Sequence, residues 1–265
     1  GRKPKSLSFA LAAALPLTGA ERLAGVQDGA TVGFTVAEAL QAPFAASGAS
    51  AQRSLAERCA EAVNVRDFGA GQGDAAADTA AIKAAYAAAV AAGGAPSVYF
   101  PPGAYAFQDD ELAILADSSL FYGQGATVRF VGSGLWKIGS DAARGALPGF
   151  RDLAFVVDAT SSVEAPVSVY NCGRAVFQRV AWHDIKASAI SLRRAVLWLR
   201  HCDTRMAAGG GSSVIKAAIP ATLASAIFIQ GGRFNSADHA AKLLVDHSGA
   251  GEIDGLVLIG VNTAG

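Results

Sequence analysis

Four aspartates in the second half of the sequence are the residues best suited to acid–base chemistry: Asp184, Asp203, Asp246 and Asp254. Histidines lie within two residues of three of them, at His183, His201 and His247. Glycoside cleavage uses two carboxyl groups about 5 to 10 Å apart, one as acid and one as base or nucleophile. A lone Asp is more often a turn former, and the irregular spacing does not align Asp184 with Asp203. We therefore assign no catalytic residue.

Aromatic side chains are a second source of carbohydrate chemistry, because their rings stack on sugars. The three candidates are Trp136, Trp182 and Trp198. Trp198 lies within the apolar run Val196–Leu199, which predicts a core position. Trp182 precedes His183 and Asp184, which predicts a surface position.

Metal and cofactor sites are not indicated. Cys59, Cys172 and Cys202 form no C-x-x-C pair, and the four histidines lack zinc-ligand spacing. Three glycines between Gly69 and Gly73 precede a predicted helix, but their spacing differs from that of a dinucleotide-binding loop. Asp74 would repel a pyrophosphate at that helix start. Asp74 and Asp78 are predicted to be N-caps or charges that favour the helix dipole.

Composition excludes several classes of protein. The 265 residues carry 22 Lys+Arg and 22 Asp+Glu, so the net charge is zero and no basic surface for nucleic acid is predicted. With 52% hydrophobic residues, disorder is excluded. No apolar stretch reaches the length of a membrane-spanning helix, so membrane insertion is not expected. A basic start followed by the apolar run Leu7–Leu17 is also typical of a secretory signal, which leaves export open.

The first 62 residues predict a small module followed by a connecting helix. Two short strands surround an Asp28-Gly29 turn, residues 42–50 form a linker, and a helix is predicted from about 51 to 62. The Leu17-Thr18-Gly19-x-Glu21 stretch and the strand that follows resemble the N-terminal module of bacteriophage tail and neck proteins. That resemblance covers about 25 residues and implies attachment to a virion.

The strongest pattern begins at Val63. Its motifs, in order, are Asn64–Ala70, Gly73-Asp74, Asp78–Ile82, Tyr99–Tyr105 and Gly123–Val128. This series resembles the opening of the pectate-lyase-like superfamily, the right-handed parallel β-helix shared by polygalacturonases and many bacteriophage tailspikes. The resemblance implies a mainly β fold whose N-terminal α-helix caps the stack, with domains at 1–49, 50–62 and 63–265.

The residues beyond Phe150 repeat short β-rich runs separated by turns. Coils of about 25 residues give four or five further turns in this segment. The last coil would have unpaired backbone groups, so we expect further chain or a partner subunit to cover it. Where polygalacturonases have Asn-Thr-Asp-Gly, residues 262–265 read Asn-Thr-Ala-Gly. This departure removes the basis for a polygalacturonase mechanism here.

Two hypotheses for function follow. The first is a phage tailspike or tail fibre, a homotrimer on the virion that contacts tail or neck proteins through residues 1–62 and recognises a host surface polysaccharide. This hypothesis leaves open a depolymerase activity further along the chain. The second is a secreted polysaccharide lyase or glycoside hydrolase. Neither assigns a catalytic, cofactor-binding or metal-ligating residue in this sequence.

Overall fold

The chain divides into two compact units, Gly1–Glu61 and Ala62–Gly265, in a computed structural model. The structure describes residues 22–27, 30–35, 43–44, 53–54, 62–140, 147–207, 213–220, 223–235, 243–247 and 249–262. Within these residues, no helix is long and apolar enough to cross a membrane.

The first unit contains the predicted hairpin. Strands β1 (Arg22–Gln27) and β2 (Ala30–Thr35) pair antiparallel, with Gln27 opposite Ala30. The helix predicted from about 51 to 62 is wrong at Arg53 and Ser54, because Arg53–Ser54 (β4) pair with Pro43–Phe44 (β3). A single narrow apolar stripe offers little tertiary packing to offset the cost of helix nucleation. Residues 55–61 lie outside the described part.

The second unit is a stack of parallel strands. They are Val63–Asn64 (β5), Ser97–Phe100 (β6), Gly103–Gln108 (β7), Glu111–Ile114 (β8), Leu120–Val131 (β9), Leu135–Ile138 (β10), Gly149–Val157 (β11), Val167–Tyr170 (β12), Ala175–Gln178 (β13), Ala181–Ile185 (β14), Ile190–Arg193 (β15), Val196–Arg200 (β16), Asp203–Met206 (β17), Ser213–Ala217 (β18), Ala224–Gln230 (β19), Arg233–Asn235 (β20), Leu243–His247 (β21) and Glu252–Ile259 (β22).

These strands form three faces, each a parallel ladder that contributes one strand to every coil. Face A contains β5, β6, the first parts of β9 and β11, then β13, β16, β19 and β22. Face B contains β7, the second parts of β9 and β11, then β14, β17 and β20. Face C contains β8, β10, β12, β15, β18 and β21. The second unit is therefore a mainly β parallel β-helix.

Strand alternation fills the interior with rings from successive coils. Phe121 stacks on Phe150 at 5.3 Å between ring centroids, and Phe150 stacks on Phe177 at 4.7 Å with an angle of 9° between the planes. All three are 0 to 1% exposed. Because parallel neighbours lie directly above one another, like residues form columns, and the aromatic column is the centre of the core.

The corner between faces A and B has the same backbone geometry in successive coils. One residue per coil takes a left-handed conformation, at Gly125, Asp152, Arg179, His201 and Gly231, with φ between 52° and 70°. The ladder of main-chain hydrogen bonds runs through this corner, since the N–H groups of Arg179 and His201 donate to the carbonyls of the next coil. Non-glycine residues in this region are uncommon and each costs about 1 kcal/mol or more.

Helix α1 (Ala75–Ala91) packs beside the first strands. Asp74 is its N-cap, since its carboxylate accepts the N–H of Ala77 at 2.9 Å. Asp78 lies in the first turn of the helix, as predicted for a charge that favours the helix dipole. It is also buried and accepts the N–H groups of Gly71 and Ala106. This carboxylate joins the loop before the helix to β7. The position of α1 as a cap over the stack stays a prediction.

Four coils and the first strand of a fifth follow Gly149 in the described residues, which confirms the four or five predicted. The last strand, β22, pairs with β19. Leu256 and Leu258 continue the inward columns of Ile227 and Ile229 but are 49% and 47% exposed. That further chain or a partner covers these leucines stays a prediction.

Candidate functional site

The structure reverses the predicted burial of Trp182 and Trp198. Trp182 is completely buried and contacts Phe177 and Phe155 at 5.4 and 5.9 Å, so the predicted surface position is wrong. Trp198 points outward from face A and is partly exposed, so the predicted core position is also wrong. Trp136 is buried within the aromatic core.

The four candidate aspartates do not come together as a pair. Asp203 lies opposite Ala181, not Asp184, and its Oδ1 accepts the N–H of Arg233 at 2.9 Å. Asp184 accepts a hydrogen bond of 3.1 Å from Arg205 Nη2. Both carboxylates are therefore paired with arginines of the next coil and stabilise the stack.

The remaining candidates are dispersed. Asp246 lies opposite Lys216 on face C, where the hydrogen bond with Glu164 raises the pKa of Lys216 and Asp246 adds to it. Asp254 lies on β22. His183 has a buried Nδ1 with no hydrogen-bond partner, and His247 is exposed. Asn262 forms a bridge with Arg233, and residues 263–265 lie outside the described part.

The described residues offer neither a cluster of three potential metal ligands nor an activated thiol. No group of three or more His, Cys, Asp or Glu side chains converges in that part of the chain. Burial raises the pKa of Cys202 to about 12, which suppresses its thiolate. Cys172 is buried as well.

The site that the structure does bring together lies at the corner between faces A and B. We call it the corner cleft, a depression of about 440 Å³. It is lined by Gln124, Gly125, Ala126, Thr127, Asp152, Leu153, Ala154 and Arg179.

Asp152 and Arg179 occupy the left-handed corner positions of consecutive coils, so their side chains leave the stack side by side. Arg179 donates from Nε to Oδ1 at 2.5 Å and from Nη2 to Oδ2 at 2.8 Å. These bonds hold the pKa of the Asp152 carboxyl below its ordinary value, so it is ionised at neutral pH. The pair remains accessible, with 27% of the Asp152 side chain and 49% of the Arg179 side chain exposed.

An aromatic surface adjoins the cleft on face A. Tyr99 and Tyr122 lie on consecutive coils with ring centroids 5.2 Å apart and planes inclined by 34°, and the Arg151 guanidinium lies 5.7 Å from the centre of the Tyr122 ring. Arg151 Nε is also 3.5 Å from Asp152 Oδ2. Tyr122, Arg151, Asp152 and Arg179 therefore form one continuous patch of rings, donors and acceptors.

Sequence reasoning missed this site. The tyrosines carried a usable signal, because Tyr99 stands between two apolar residues of Ser97–Phe100 and must face outward if they face inward. The sequence around Asp152 and Arg179 gave no comparable signal, since only the fold shows that these two residues occupy equivalent corners of consecutive coils.

One comparison with known proteins agrees with this architecture. The family model described as rhamnogalacturonase A/epimerase, pectate lyase-like, matches residues 62–184, a segment that contains the corner cleft and the tyrosine pair. No curated protein matches the chain. Together, the match and the stacked coils identify the fold as a pectate-lyase-like β-helix.

Proposed function

We propose that this protein recognises a polysaccharide at the corner cleft and the adjoining tyrosine pair. The observation that carries the proposal is the exposed, doubly hydrogen-bonded Asp152–Arg179 pair next to Tyr122. The match to a pectate-lyase-like family supports a polysaccharide-acting member of that superfamily.

The chemistry of the patch suits sugars in two ways. The faces of pyranose rings are apolar and stack on aromatic rings such as Tyr99 and Tyr122. The edges carry hydroxyl pairs, which need an acceptor and a donor close together. Asp152 keeps unused lone pairs, and Arg179 keeps N–H groups beyond the two it gives to Asp152. A sugar over Tyr122 therefore meets both kinds of partner.

The proposed role is recognition, because the patch lacks a proton donor suited to bond cleavage. A general acid needs a carboxyl group with a raised pKa, whereas hydrogen bonds from Arg179 lower that of Asp152. The carboxylate then acts as an acceptor that Arg179 holds in orientation. Cleavage elsewhere on the same polysaccharide is compatible with this role.

The test is calorimetric titration with a panel of soluble polysaccharides that includes rhamnogalacturonan. Asp152→Asn and Arg179→Gln each lower the affinity about tenfold, and Tyr122→Ala lowers it by roughly three- to tenfold. Tyr170→Ala is the matched control, since Tyr170 is another outward aromatic with an arginine, Arg193, 4.6 Å from its ring centre, but on face C. Equal affinities in all four variants would contradict the proposal.

A tailspike or tail fibre is the second, narrower candidate, and the N-terminal resemblance around Leu17-Thr18-Gly19 is what favours it. In that setting a homotrimer on the virion binds tail or neck proteins through residues 1–62 and presents the β-helix to host polysaccharide. Sedimentation equilibrium of the native protein, together with its intact mass and N-terminal sequence, tests this. A monomer with a processed N-terminus recovered outside particles would favour the secreted enzyme instead.

A further inference from the structure

A second aromatic pair lies on face A, on β16 and β19, outside the segment matched by the family. Trp198 lies opposite Phe228, with ring centroids 5.1 Å apart and an angle of 38° between the planes. Leu197 and Leu199 on either side of Trp198 are fully buried, so strand alternation directs Trp198 outward. Both rings are partly exposed.

This pair stands three coils further along the same face. Register places Leu120, Gly149, Val176 and Trp198 in one column, so β9 and β16 are three strand spacings apart, about 14 Å. Tyr122 belongs to the neighbouring column, which ends at Arg200 on β16. The intervening Gly149 and Val176 bring no ring to the surface. The second pair is therefore a separate platform.

Within the described residues, the arginines around this platform form no ion pair with an acidic side chain. The Arg200 guanidinium lies 4.6 Å from the centre of the Trp198 ring, and that of Arg174 lies 5.8 Å from it. None of the ion pairs in the described part of the chain involves Arg174, Arg194 or Arg200. The Nε of Arg200 is buried and has no hydrogen-bond partner among the residues that the structure describes. In the corner cleft, by contrast, Asp152 pairs with Arg179.

A cleft of about 280 Å³ adjoins the platform at the N-terminal ends of the same strands. It is lined by Arg194, Ala195, Val196, Leu223, Ala224, Ser225, Ala226 and Asp254. Asp254 supplies one negative charge to this lining. Arg194 in the cleft and the two arginines over Trp198 supply three positive charges. The local charge is positive.

From these contacts we infer a second saccharide-binding site, formed by Trp198, Phe228, Arg174 and Arg200 with the adjoining cleft, that selects a sugar unit carrying an anionic group. The inference rests on the proposed saccharide-binding role for the kind of ligand. The rings accept the apolar face of the sugar, and guanidinium groups bind carboxylate, sulfate or phosphate oxygens with paired hydrogen bonds.

The experiment uses three hexasaccharides as probes: an oligogalacturonate for carboxylate, a chondroitin sulfate hexamer for sulfate, and maltohexaose as the neutral control. At least one anionic probe binds about tenfold or more tighter than maltohexaose, and Arg200→Gln removes that preference. Arg193→Gln, which removes the arginine over Tyr170 on face C, leaves it unchanged. Equal affinity for all three probes, or equal losses in both variants, would overturn the inference.

Tryptophan fluorescence separates this site from the corner cleft without relying on a damaging variant. Trp136 and Trp182 are fully buried, so an anionic probe bound on the platform changes the emission of Trp198 first. Trp198→Phe retains a ring for stacking and should bind the probe with the fluorescence change lost. If Tyr122→Ala leaves the polysaccharide affinity of the calorimetric test unchanged while the Trp198 fluorescence change persists, the corner-cleft proposal fails and the second site stands. Binding without any fluorescence change, or no binding of any probe, would refute the second site.

Discussion

Aromatic rings stack in two regions of this molecule, inside the coils and outside them, with different consequences. Phe150, Phe177 and Trp182 are fully buried or nearly so, and every ring is covered by neighbours. The rings of Trp198 and Phe228 also pair, with centroids 5.1 Å apart and planes inclined by 38°, but one side of the pair meets solvent and arginines. The comparison teaches that the pairing of two rings does not by itself assign a role to them. The role depends on whether the outer side of the pair is covered by the core or meets solvent and charged groups.

The largest expected effect comes from emptying the interior. Trp182→Ala should lower the free energy of unfolding by about 3–5 kcal/mol, because it leaves a cavity among rings that cannot close around it. Urea denaturation followed by circular dichroism measures this. A loss below that of Trp198→Ala would break the distinction between the two regions.

A smaller change asks whether the interior stack contributes beyond burial. Phe177→Leu keeps an apolar side chain but removes the ring that lies nearly parallel to Phe150. We expect a loss of about 1–2 kcal/mol, which combines lost volume with the 0.5–1.5 kcal/mol typical of an aromatic pair. Repeating the substitution in a Phe150→Leu background isolates the pair energy, and strict additivity of the two losses would show that none exists.

Trp198→Ala tests the outer region and should cost less than about 1 kcal/mol of stability, because the side chain is only partly buried and leaves no closed cavity. The same urea experiment applies, with Trp182→Ala as its counterpart. A loss as large as that of Trp182→Ala would mean that the outer pair serves stability.

The smallest expected effect is the pH dependence of the corner pair. Hydrogen bonds from Arg179 lower the pKa of Asp152 below its unfolded value, so their contribution is present above that unfolded value and is lost as the pH falls through the folded pKa. Asp152→Asn should therefore be slightly less stable than the native protein at pH 6, and the difference should shrink below about pH 4. A difference that grows on acidification would contradict the sign.

The two tryptophans also explain how far sequence could predict this structure. The run Val196–Arg200 alternates regularly, and Arg200 falls on the same side as Trp198, so the outward position was available from spacing. Trp182 was not. Asp184 takes a left-handed conformation with φ of 57°, and the register shifts between Trp182 and Ile185. As a result, the side chains of Trp182 and Ile185 both point into the core. A local bulge of this kind leaves no pattern in composition or period.

The fold itself was largely predictable because its motifs follow in order from Asn64 to Val128 and each marks a strand, turn or helix of the first coils. The corner cleft was not. Asp152 and Arg179 are separated by 27 positions, and only the stacking of coils of unequal length makes them neighbours. Long-range register, rather than residue type, was the missing information.

The repeated left-handed corner has a consequence for how such a molecule can change. Main-chain hydrogen bonds to the next coil hold this corner at Arg179 and at His201, two positions with different side chains. Each coil thus offers one outward position at a fixed pitch of about 4.8 Å, already occupied by glycine, aspartate, arginine and histidine in different coils. Substitutions along this row therefore change the ligand-facing surface one residue at a time and leave the scaffold beneath it in place.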